Sequence, residues 1–74
     1  MNDPEEIEQA MKAFGELIRE RRNKKGWGIR KLAEKSDLSH PAVVRLENGV
    51  NVSLENIVRI VDGLGCTLTV KNKK

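Results

Sequence analysis

The chain has no tyrosine, one histidine, one cysteine and two prolines, and its only aromatic side chains are Phe14 and Trp27. Each shortage excludes something. Cys66 is alone, so neither an internal disulfide nor a cysteine zinc cage can form. The single His40 lies far from it in sequence, so metal and nucleophile constellations have almost no parts. No catalytic residue, metal site or cofactor is expected. Apolar runs reach two or three residues, far short of the roughly 20 that cross a bilayer. No charged-then-apolar leader precedes the first helical pattern, which points to a soluble, cytoplasmic chain. Seventy-four residues poor in aromatics must build a thin core from Leu, Ile and Val, so self-association is expected.

Positive charge is present but unevenly spread. The net charge is +3. Residues 1–11 carry four acids and no base; residues 12–35 carry nine Lys/Arg against three Asp/Glu; residues 36–74 are nearly balanced. A basic block of this kind suits a polyanion, because each Lys or Arg set on a phosphate releases condensed counterions. A solvated, charged helix face would look the same by composition.

Periodicity predicts four helices. Asp3, Pro4, Glu5 and Glu6 make a helix start, with a capping Asp, Pro in the first turn and acids at the positive end of the dipole. Ile7, Met11, Phe14, Leu17, Ile18 and Arg21 then recur at helical spacing, giving a helix over about residues 4–24. Gly15 could divide it into an arm over 1–12 and a core helix. Cations from Arg19 to Lys25 close it and Gly26 stops it. Trp27, between two glycines, is read as a core plug rather than a stacking platform.

The next stretch organises the rest. Ile29, Leu32 and Ala33 sit at helical spacing and stop at Ser36-Asp37. Ser39 is a good N-cap, Pro41 falls in the first turn, Val43 and Leu46 recur three apart, and Gly49 ends the run. Two short helices separated by about three residues have the spacing of a helix-turn-helix, whose second helix enters the DNA major groove. Val43 and Leu46 point inward, which leaves Val44, Arg45 and Asn48 outward. Ser53 then caps a fourth helix whose buried stripe is predicted as Leu54, Ile57, Val58, Val61 and Leu64, widened by Ile60, and which ends over residues 62–65.

The tail changes period. Cys66, Leu68 and Val70 alternate with Thr67, Thr69 and Lys71, a period of two in strand-favouring residues. One strand in a helical chain has no mate, so residues 66–70 are predicted to pair with a second copy, backed by Ile60 and Leu64. Residues 71–74 are predicted to be a disordered tail. The fold class is therefore all-α: four or five helices with one short C-terminal strand, in a single domain over 1–74.

The segments F-G-E-L-I-R-E-R-R, K-L-A-E-K-S-D-L-S, V-V-R-L-E-N-G and S-L-E-N-I-V-R-I-V-D-G-L-G resemble, in this order and spacing, the lambda-repressor/Cro-like or Xre helix-turn-helix domains over about residues 14–65. The L-G-C-T-L-T-V end is similar to HipB/HigA-type antitoxin repressors, several of which pair subunits through a C-terminal strand. The resemblance implies double-stranded DNA as partner and makes Ser39, His40, Val44, Arg45 and Asn48 the DNA-facing positions. It also matches Arg22 and Glu47 to a structural ion pair between the first and third helices. This sequence departs from the pattern at Ile29, where a phosphate-contacting Gln is usual, at Asp37, where Gly is usual, and at Pro41. Arg30 and Lys31, with Asn51 and Ser53, are the residues able to compensate for Ile29.

Two functions follow. One is a homodimeric, sequence-specific DNA-binding repressor; the other is a protein-binding antitoxin or adaptor module whose main partner is a toxin, with DNA binding weak or lost. Ile29 and the acidic arm favour the second, and the Val44–Arg45 face and basic block favour the first.

Overall fold

The computed structural model describes residues 3–73. They form four helices: α1 (Pro4–Lys24), α2 (Ile29–Ser36), α3 (His40–Glu47) and α4 (Leu54–Gly63). All-α is the observed class, with four helices and no strand among the described residues. Local chemistry explains each start. The Asp3 carboxylate accepts from the Glu6 N–H at 2.8 Å while Glu6 reaches back to the Asp3 N–H, a capping box. The Ser39 and Ser53 hydroxyls accept from the N–H groups of Ala42 and Asn56, both at 3.2 Å.

The four ends share one device. Each closes with a pair of hydrogen bonds back into the last turn, one from the residue at the bend and one from the residue after it, as in Trp27 N–H to the Arg22 carbonyl and Val50 N–H to the Arg45 carbonyl. The residue at the bend must take a left-handed backbone. Gly26, Gly49 and Gly65 do so in three helices, and Asp37 does so after α2, at φ 55°. A side chain there is strained, although Asp tolerates the conformation better than most. Asp37 is also held by Arg59 of α4, whose guanidinium donates to its carboxylate at 3.3 Å. That contact is exposed and worth little. Asp37→Gly is therefore expected to raise stability by about 0.5 kcal/mol. A denaturant midpoint that falls instead would make the Arg59 contact the larger effect.

The core comprises Ile18, Leu32, Ala33, Val43, Leu46, Ile60, Val61 and Leu64, with Phe14, Trp27, Ile29, Leu38, Val52 and Ile57 packed around it. Helix α1 lies on α3, and α2 packs on both α3 and α4. Two glycines set how closely these helices approach. A side chain at Gly15 would collide with the carbonyls of Leu46 and Glu47 on α3. One at Gly63 would collide with the Ser36 hydroxyl on α2. Gly15 thus does not divide α1, which runs unbroken; the bare backbone is there so that α3 can touch it.

Both outer helices bury less than periodicity suggests. On α4 the buried stripe is centred on Ile60, Val61 and Leu64, whereas Leu54 and Val58, expected inside, are 68% and 49% exposed. On α1, Ile7 and Leu17 are likewise about half exposed. The reason is the packing: α1 lies chiefly on α3 and α4 chiefly on α2, which leaves one side of each uncovered. Residues 66–73 form neither helix nor strand, because a strand exists only within a ladder and the single chain offers no second one. The tail is exposed through Lys73, and Met1, Asn2 and Lys74 lie outside the described residues.

Candidate nucleic-acid interface

Helix α3 is fixed by a buried ion pair. The Glu47 carboxylate, 2% exposed, accepts from Arg22 Nε at 2.7 Å and from Arg22 Nη2 at 2.9 Å, the parallel two-bond geometry in which this pairing is strongest. Arg22 spends Nη1 on the Trp27 carbonyl at 3.0 Å and on Asn23. The bonds to Glu47 raise the Arg22 pKa above its ordinary value against the opposing effect of burial, so the guanidinium stays charged. One residue of α1 thereby holds both the end of α3 and the approach to α2.

With that orientation set, Val43 and Leu46 are buried, Val44 is half-buried, and His40, Pro41, Arg45 and Asn48 are exposed. His40, Val44 and Asn48 follow at intervals of four, and Pro41 and Arg45 form the adjoining row, which gives one continuous outward face. The seven residues expected to contact DNA are not equally available. Arg30, Lys31 and Arg45 are exposed and make no ion pair among the described residues. Ser39 has given an acceptor lone pair to the helix cap but keeps its proton to donate. The Asn48 side-chain oxygen accepts from Arg19 Nη2 at 3.1 Å, which ties it to α1 and leaves its NH₂ group outward.

Arg19 is a residue that periodicity alone does not single out. It bridges Glu16 at 2.6 Å, Glu47 at 3.4 Å and Asn48, and so buttresses the C-terminal end of α3. The available signal was its place three residues before Arg22 on the same helix. Beside Arg45 lies a small open hollow of about 240 Å³ lined by Ala42, Asn51, Val52, Ser53 and Asn56. Asn51 and Ser53 therefore stand next to the outward face of α3, joined by Asn56 from the first turn of α4. Ile29 is half-buried against the core, so α2 begins with an apolar plug that offers no side-chain hydrogen bond.

The residues expected at a dimer contact divide differently. Ile60 and Leu64, expected behind a paired strand, are 0% and 2% exposed within the chain's own core and present no surface to a second copy. Cys66 and Val70 are exposed, and Leu68 lines an apolar groove against α1 and α4. Among the described residues no cluster of His, Cys, Asp and Glu could hold a metal ion. Among the same residues no helix is long and apolar enough to cross a membrane.

A family model described as helix-turn-helix matches residues 18–71, covering α2, the turn, α3 and α4. The chain belongs to the helix-turn-helix family. Within it the kind is the Xre, lambda-repressor-like one. This is a family of DNA-binding regulatory domains rather than of enzymes. No curated protein matches the chain.

Proposed function

We propose that the protein is a homodimeric repressor that binds a two-fold double-stranded DNA operator, with α3 as the reading helix. The observation that carries this reading is Arg45: exposed in the last turn of α3, unpaired among the described residues, and held on a helix that the buried Arg22–Glu47 pair anchors to α1. Its guanidinium can donate two parallel bonds to guanine O6 and N7, and Val44 beside it can press on a thymine methyl. His40 and Ser39 at the helix start can donate to a phosphate or a base edge. Arg30 and Lys31 supply phosphate contacts from α2, replacing the contact that Ile29 cannot make, and the Asn48 NH₂ group adds a donor at the far end. Two copies would set their α3 helices in successive major grooves about 34 Å apart. The expected place of action is the cytoplasm.

The acidic arm and the apolar start of α2 favour a second reading, an antitoxin whose principal partner is a toxin protein. The experiment that separates the two is enrichment of binding sites from a random duplex pool with the purified protein alone. The first reading expects a single two-fold motif to emerge; an unenriched pool would favour the second. A companion prediction concerns Lys31. Lys31→Ala is expected to weaken all duplexes alike and to reduce the slope of log affinity against log salt by about 1. An unchanged slope would remove Lys31 from the phosphate contacts.

A further inference from the structure

An open apolar groove of about 450 Å³ lies between the first half of α1 and the start of α4. Phe14, Leu46 and Ile57 line its inner part, while Ile7, Leu54 and Leu68 stand 44%, 68% and 45% exposed around it. The apolar strip on α1 continues past the groove. Ile7, Ala10, Phe14 and Leu17 follow at intervals of three, four and three, the pattern by which one helix seats against another. Ala10 in the middle allows close approach.

The charge along α1 says what fits there. Asp3, Glu5, Glu6 and Glu8 occupy its start, and Arg21 and Lys24 stand exposed near its end, outside every ion pair among the described residues. A second α1 laid antiparallel would bring each acidic start beside a basic end, with the two helix dipoles opposed. A parallel arrangement would join like charges. Antiparallel contact of identical helices is also what a two-fold axis across them produces.

We propose that the groove and the exposed strip of α1 form a two-fold interface with a second copy of this chain, α1 packed antiparallel on α1. This rests on the dimeric part of the reading above and names the surface responsible. With Ala10 facing Phe14 of the second copy, symmetry sets Ile7 against Leu17 and Asp3 beside Arg21. Leu68, on the groove, puts the tail next to this contact. The main contact is then helical rather than a ribbon of tails.

Sedimentation equilibrium of the full chain without DNA, from low to high micromolar concentration, tests it. The parent is expected to dimerise. Leu17→Glu, which inserts two charges per dimer, is expected to raise the dissociation constant by about a hundredfold or more. Arg21→Glu is expected to weaken the dimer in a salt-dependent manner, and Thr69→Pro, which would break a ribbon of tails, to leave it intact. Leu17 is half exposed, so its variant should keep the parent's circular dichroism; should it unfold, Arg21→Glu carries the test. A parent that remains monomeric, or a dimer that survives both α1 substitutions, overturns the proposal. A dimer lost only in Thr69→Pro also overturns it and assigns the interface to the tail. Because no DNA is present, failure to bind an operator would leave this result standing.

Discussion

Glu47→Ala is expected to cost about 3–5 kcal/mol of folding stability, the loss that follows when one member of a buried ion pair is removed. Glu47 sits at the end of α3 with 2% exposure, and its two oxygens take three donors, two from Arg22 and one from Arg19. Truncation leaves the largely buried Arg22 charge without its counter-charge, because Trp27 and Asn23 offer only neutral oxygens. Small domains have a total stability of about 5–15 kcal/mol, so this substitution would remove much of it. The pair's presence is a different matter from its removal. Replacing both partners by apolar residues of similar volume, as in Arg22→Met with Glu47→Leu, is expected to recover most of the loss. Urea unfolding followed by circular dichroism measures both. A single variant that melts at the parent's midpoint would mean that water reaches the pair.

Arg45→Ala is expected to have the largest effect on operator binding and almost none on folding. The side chain is exposed and contributes no ion pair to the chain among the described residues, so nothing in the fold depends on it. A bidentate guanine contact discriminates by about 1–3 kcal/mol, so affinity for the preferred site should fall by that amount while binding to random duplex falls much less. Specificity should relax at a single base pair. Loss spread evenly over all sequences would instead make Arg45 a phosphate contact.

Much of this architecture is legible in the sequence because its signals are local. Asp3 with Glu6, Ser39, Ser53 and the residues at the helix ends act within one turn, so they declare the four helices wherever the chain goes. What periodicity cannot give is depth. Leu54, Val58, Ile7 and Leu17 have the spacing of buried residues, yet a 74-residue chain has too few neighbours to cover them. Gly15 illustrates the same limit: as a helix residue it reads as a weak point, and only the tertiary contact with α3 reveals why no side chain can stand there. The outward face of α3 follows from burying Val43 and Leu46. The attachment of Asn48 to Arg19 does not, since it joins residues 29 apart in the chain.

That α3 reads base edges through Arg45 can be tested by a double-mutant cycle across the protein and the DNA. The parent and Arg45→Ala would each be titrated against the enriched operator and against the same operator with each guanine pair in turn changed to an adenine pair. For one base pair the two changes are expected to be strongly non-additive: once Arg45 is gone, altering that pair should cost nothing further, a coupling of about 1–3 kcal/mol. Costs that simply add at every guanine would mean that Arg45 reads no base and would leave α3 without its reader.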